Sequence, residues 1–381
     1  MKPGHSAVPL RIVSDDETDS TLRAADQAPP RIVFLYSEPS PYIVACWREL
    51  KKRYDAELMI FHWDTNAAAP FILDINPIGT AVSRKGLSRR EVLDRVLAFN
   101  PDGLFISGWA DRDYLRVAAS CKKLGIPVIL GLDTQWTGSL KQRFGCATAR
   151  FWLHPAVNVI WTPGERQAQL ANHLGYQGKN CWYGVYCCDW RSFSIPDDAE
   201  PEREDSFLFV GRYATEKGIS DLVEAYSIYR TKAQDPWPLY CAGLGPLSHL
   251  LGEVAGIHDL GFVQSHALPT VMRKYGGVFI LPSRVEPWGV VLQEAAAAEC
   301  PLICSSACGA GVHLLQDGLN GLRFQQANSA ELADCMLRLS STSPERRAQM
   351  GKASALLALQ YTPERWAQTI VEGVAQRRRP E

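Results

Sequence analysis

Leu281-Pro282-Ser283-Arg284-Val285-Glu286-Pro287-Trp288-Gly289-Val290-Val291-Leu292-Gln293-Glu294-Ala295 joins an apolar run to an Ala-rich segment through one short loop. Gly277 to Leu281 has the length and composition of a buried strand, and Gly289 to Ala298 that of a helix. A strand feeding a helix through a tight loop is the unit of a parallel α/β sheet. The loop carries Glu286, and Glu294 falls in the second turn of the helix. A helix start presents unpaired N–H groups and partial positive charge, which suit a phosphate. Carboxylates on either side of that point suit hydroxyls: Glu286 for a sugar, Glu294 for a ribose. Taken singly, Glu286 reads equally as a solvated loop acid, and Glu294 as an acid favoured by the helix dipole. Eight residues apart around Pro-Trp-Gly, they read as a pair.

Three more signals lie at strand ends in the same half of the chain, where ligands of open α/β sheets bind. Val210-Gly211-Arg212-Tyr213-Ala214-Thr215-Glu216-Lys217-Gly218 sets a planar guanidinium and a mobile ammonium on one loop, a fit for a diphosphate. A solvated basic loop is the plain alternative. Cys241-Ala242-Gly243-Leu244-Gly245-Pro246 lets backbone approach a ligand, or simply turns the chain. Ser305 to Val312 and Gln316-Asp317-Gly318-Leu319-Asn320-Gly321 are further Gly-rich loops that cover a ligand or turn the chain.

Outward from this region the alternation continues in both directions. Towards the N-terminus, strands are predicted at Ile32 to Tyr36, Glu57 to His62, 103–107, 127–131 and Val157 to Trp161, with helices at Ile43 to Tyr54, 88–98 and 112–124. Around the quoted stretch, strands are predicted at Phe207 to Val210, Pro238 to Ala242 and Pro301 to Cys304. Helices are predicted at Gly218 to Arg230, Ala267 to Lys274, 329–340, 344–358 and Pro363 to Gln376. The pattern predicts a polar tail over 1–29, a first lobe over 30–190, a Pro- and acid-rich linker over 191–205, and a second lobe over 206–360. The helix over 361–377 is expected to pack back on the first lobe.

Composition narrows the class. Hydrophobic residues make up 46% and charged residues 21%, as in ordinary globular chains. The net charge of −1 provides no global field to recruit nucleic acid or a membrane. The N-terminus lacks the apolar core of a secretory signal, and eleven cysteines without framework spacing read as reduced thiols, so a cytoplasmic protein is expected. Cys300, Cys304, Cys308 and His313, like Cys181, Cys187 and Cys188, read as buried thiols rather than metal ligands. Arg377-Arg378-Arg379 is expected to be a soluble end, or at most a weak peripheral contact with acidic lipid.

The order Gly-Arg-x4-Lys-Gly, Gly-x-Gly-Pro, Pro-Ser-x2-Glu-Pro-Trp-Gly-x4-Glu-Ala and Asp-Gly-x-Asn-Gly over residues 206 to 325 resembles the retaining glycosyltransferases of family 4 (glycosyl transferases group 1). The resemblance implies the GT-B fold, two Rossmann-like parallel-sheet lobes facing each other across a cleft. It implies that Arg212 and Lys217 bind the donor diphosphate and that Glu286 contacts donor sugar hydroxyls. It implies that Glu294 contacts the ribose, that backbone near Gly211, Gly243, Gly289 and Val290 approaches the donor, and that Gly261-Phe262-Val263 lies near the base. The donor would be a UDP- or GDP-sugar and the acceptor a carbohydrate or lipid-linked hydroxyl, in polysaccharide or glycoconjugate biosynthesis. No cofactor and no metal would be required, since two cations stand in place of an Asp-x-Asp motif. Asp111-Arg112-Asp113 has that spacing but begins a predicted helix, where an acid caps. In the first lobe the opening loop, Ser37 to Pro41, lacks the glycine pair many members carry, and Asp133 stands where many members carry a His. Asp133 acts in the cleft or caps a turn or helix start. A sugar-nucleotide epimerase and a non-catalytic nucleotide-sugar binder are the other readings. The Glu-x7-Glu arrangement of Glu286 and Glu294 favours transfer over the first, and the complete set Arg212, Lys217, Glu286 and Glu294 favours it over the second.

Overall fold

The computed structural model describes residues 28–64, 70–196 and 203–378. Most of the N-terminal tail (1–27), linker residues 197–202 and Arg379 lie outside the described residues.

The first half builds β1 (Arg31–Leu35), α1 (Pro41–Tyr54), β2 (Glu57–His62), β3 (Thr80–Ser83), α2 (Arg89–Phe99), β4 (Gly103–Ile106) and α3 (Arg112–Lys123). It continues with β5 (Val128–Gly131), α4 (Leu140–Trp152), β6 (Val159–Thr162), α5 (Glu165–His173), β7 (Cys181–Tyr183) and the short α6 (Trp190–Phe193). Its strands form one sheet, ordered β3-β2-β1-β4-β5-β6-β7 and parallel throughout. The second half builds β8 (Phe207–Val210), α7 (Ile219–Lys232), β9 (Leu239–Ala242), β10 (Ile257–Asp259), α8 (Leu268–Tyr275) and β11 (Val278–Leu281). After these come α9 (Val290–Ala297), β12 (Leu302–Ser305), α10 (Gly311–Leu314), β13 (Gly321–Phe324), α11 (Ser329–Ser340), α12 (Pro344–Ala358) and α13 (Pro363–Arg378). The second sheet is ordered β10-β9-β8-β11-β12-β13, again all parallel. Both sheets are covered by helices on two faces, so β1, β4, β5, β8 and β11 are almost wholly buried and read as continuous apolar runs.

In each sheet the strand order reverses beside the first strand of its lobe, between β1 and β4 and between β8 and β11. Loops diverge at such points and leave a crevice. The two crevices face each other.

The chain crosses back at its end. Trp366 of α13 is buried against Phe34 and Trp161 of the first lobe, with ring centroids at 6.1 and 5.0 Å. Its indole N–H donates to the Val185 carbonyl at 3.0 Å. Arg378 pairs with Asp102, and Arg377 donates to the Lys179 carbonyl and lies over the Trp182 ring, so these two arginines are folded against the first lobe. The stretch read as a linker also begins differently. Trp190–Phe193 is helical because Phe193 finds a buried place against α8 and α9, and Arg203 bonds the Ala298 and Glu299 carbonyls. Asp111 accepts from the backbone N–H groups of Asp113 and Tyr114 and so caps α3.

Removing a buried tryptophan leaves a cavity as well as lost transfer energy. Trp366→Ala should therefore lower stability by about 3–5 kcal/mol, read as an earlier denaturation midpoint; an unchanged midpoint would mean that α13 does not hold the first lobe.

Candidate active site

The two crevices enclose a cleft of about 420 Å³ between the lobes. Arg212, Lys217, Glu286, Asp133, Gly211, Gly243, Val263, Gly289, Val290 and Glu294 all line it. Most arrive from strand ends, with Gly211 and Arg212 after β8, Gly243 after β9, Glu286 after β11 and Asp133 after β5, while Val290 and Glu294 stand on α9. The fold thus brings together every site residue read from the sequence. It adds Ser40, Tyr42, Phe71 and Tyr186 from the first-lobe side.

At the centre, Lys217 Nζ lies 2.6 Å from Glu286 Oε2, and Ser283 Oγ donates to the same oxygen at 3.1 Å. The Glu286 residue is 7% exposed, so the lysine neutralises a carboxylate that water barely reaches. Both of these contacts fall on Oε2, and Oε1 has no hydrogen-bond partner among the described residues. Arg212 is more open and pairs with Glu216 at 2.7 Å.

Glycine is obligatory at two points around this pair. A side chain at Gly243 would put its Cβ 1.9 Å from the Gly211 carbonyl oxygen, so the two strand-end loops approach only through glycine. Gly289 has φ 95°, the left-handed region, and starts α9 without a side-chain cap. The uncapped first turn, with Val290 and Val291, opens into the cleft.

Glu294 stands one turn further along α9. Burial pushes its carboxyl up to about 7, and no described residue donates to that carboxylate. Asp133 sits across the cleft. Ser139, not Asp133, caps α4, so Asp133 does not cap that helix start. Its carboxylate receives the Tyr186 hydroxyl at 3.4 Å. Burial first, then Tyr42 and Asp133 nearby, raises the Tyr186 phenol well above its ordinary value, so it stays a neutral donor.

The first lobe also grips the loop that carries Glu286. Gln135 donates to the Glu286 and Pro287 carbonyls at 3.3 and 2.9 Å, and Gln167 donates to that of Pro287. Arg166 bonds the Ser306 and Ala307 carbonyls at 2.8 and 2.9 Å. These glutamines and this arginine have no sequence signature, because their partners are backbone carbonyls of the other lobe. Phe71 meets Phe262 across the cleft with ring centroids at 5.3 Å.

This set of strand-end loops has relatives. Residues 191–356 match the family model of glycosyl transferases group 1. Sequence relatives include the alpha-D-kanosaminyltransferase of Streptomyces kanamyceticus, 31% identical over 163 residues that cover 41% of each chain. The D-inositol 3-phosphate glycosyltransferase of an Arthrobacter strain is 30% identical over 185 residues, 45% of this chain and 42% of that one. The chain thus matches about two-fifths of the length of these curated relatives. Across both lobes, the crystal structure of Anabaena HepE with UDP and glucose superposes with a TM-score of 0.71 at 14% identity, covering 91% of this chain and all of that one. At that identity the likeness establishes the GT-B fold and nothing finer.

Glu294 yields a test that needs no ligand. Between its ordinary value of 4.5 and about 7 the folded state holds a proton that the unfolded state has released. Stability therefore falls as pH rises through that window, by roughly 3 kcal/mol at most. Glu294→Gln should flatten this slope between pH 5 and 7.5 in thermal denaturation; an unchanged slope would assign the titration to another group.

Proposed function

We propose that the chain transfers a sugar from a UDP- or GDP-sugar to a hydroxyl acceptor with retention of anomeric configuration. The supporting observation is the convergence of Arg212, Lys217, Glu286, Glu294 and the start of α9 on one interlobe cleft, with Asp133 opposite. HepE, which shares the fold, was crystallised with UDP and glucose, and this favours a nucleotide-sugar donor here.

In this reading the diphosphate lies between Arg212, Lys217 and the N–H groups at the start of α9. The bond from the anomeric carbon to the phosphate oxygen breaks, and the nucleotide diphosphate leaves with the electron pair. Lys217 and Arg212 stabilise that charge in a site with little water, where fixed cations act strongly and no metal is required. Lys217 is held in place beforehand by Glu286. Glu286 Oε1 takes a sugar hydroxyl, and Glu294 takes the ribose. The acceptor oxygen bonds to the anomeric carbon, and its proton leaves with the diphosphate. Asp133, steadied by Tyr186, orients the acceptor hydroxyl or a donor hydroxyl beside it. The acceptor is a carbohydrate or a lipid-linked hydroxyl, as polysaccharide or glycoconjugate assembly would present.

Labelled UDP- and GDP-sugars offered with a mixed acceptor pool test this reading. Label should move to acceptor, survive excess EDTA, and fall about tenfold or more in kcat for Asp133→Asn with little change in melting temperature. Release of free or epimerised sugar nucleotide with no labelled acceptor would overturn transfer. Restoration by Mn²⁺ after chelation would overturn the metal-free step.

A further inference from the structure

Helix α4 turns its apolar side the wrong way for a core helix. Leu140, Phe144 and Phe151 are 85%, 73% and 67% exposed. Their spacing, with Ala147 between, puts them on one stripe of the helix. The opposite face is firmly seated: Ala149 and Leu153 are in the first-lobe core, and Cys146 and Trp152 pack against it. Ser139 caps the start, accepting from the Gln142 N–H. The exposure thus belongs to a well-anchored helix. Its flanks carry Lys141, Arg143 and Arg150, and the helix has no acid.

We propose that α4 lays this face on an anionic phospholipid bilayer. An apolar stripe of Leu and Phe bordered by cations suits the boundary between headgroups and acyl chains, where rings enter and the long basic side chains reach phosphates. Charge selects this occupant. A second copy of the chain packing the same face would bring two sets of three cations together, whereas an anionic lipid surface neutralises them. Among the described residues no helix is long and apolar enough to span a membrane, so the contact is in-plane. The helix start is bonded to the loop that carries Asp133, since Gln142 donates to the Gln135 carbonyl at 2.7 Å. Docking would therefore set the first-lobe side of the cleft beside the bilayer. The docking stands independently of sugar transfer.

Co-sedimentation of the full chain with vesicles tests it. Binding should appear with phosphatidylcholine vesicles containing roughly one-third phosphatidylglycerol, be absent with phosphatidylcholine alone, and weaken as salt rises. Phe144→Ser with Phe151→Ser, and separately Arg143→Gln with Arg150→Gln, should each reduce binding by about tenfold or more. Their melting temperatures should stay at the parent value, because the substituted side chains are exposed. No binding to anionic vesicles, or binding that both variant pairs leave intact, would overturn the proposal. So would a concentration-dependent dimer by light scattering that only the phenylalanine variant abolishes, which would assign the face to a second copy.

Discussion

One turn, Glu286 to Gly289, is held from both lobes at once. Its carbonyls accept from Gln135 and Gln167 of the first lobe, while its carboxylate is fixed by Lys217 and Ser283 of the second. Gly289, with its left-handed backbone, then launches α9 towards the cleft. A buried acid in such a place is tolerable only while its cation stays near; removing one partner leaves an uncompensated charge. The diphosphate-binding lysine and the sugar-binding glutamate of the proposed mechanism are thus each other's condition for being there. An arriving anion shares Lys217 rather than meeting a free lysine, and Glu286 stays hydrogen-bonded by Ser283 meanwhile.

The second lobe was legible because its chemistry sits in local motifs at strand ends. Strand, glycine, cation and helix follow one another within a few residues, and parallel sheets place such loops on one edge. The elements missed were those whose pattern is weak or points elsewhere. Thr80–Ser83 is an edge strand with no fully buried residue, so it carries no apolar run. Gly321–Phe324 begins on the last residue of a sequence that reads as a turn. Helix α4 does have helical spacing in Leu140, Phe144, Ala147 and Phe151, which would have marked it as a helix. Nothing in that spacing says that this face looks outward; burial of Ala149 and Leu153 decides it.

The first-lobe wall was hidden for a different reason. Gln135, Arg166 and Gln167 act on carbonyls far away in sequence, and any residue type supplies a carbonyl. The Tyr186 hydroxyl reaches Asp133 only because β7 and the return of α13 place that segment beside β5's loop. Asp133 itself could be located by position after β5, and the structure then removes the helix-start part of its capping alternative, since Ser139 caps the next helix.

The central claim is that Lys217, held by Glu286 at the mouth of α9, recognises a diphosphate. Calorimetric titration of the parent and Lys217→Ala with UDP and with uridine isolates that group from the base and ribose. The account predicts that the parent prefers UDP by on the order of a hundredfold or more and that Lys217→Ala loses most of that preference while still binding uridine. A Lys217→Ala protein that keeps the parent's preference for UDP over uridine would contradict it.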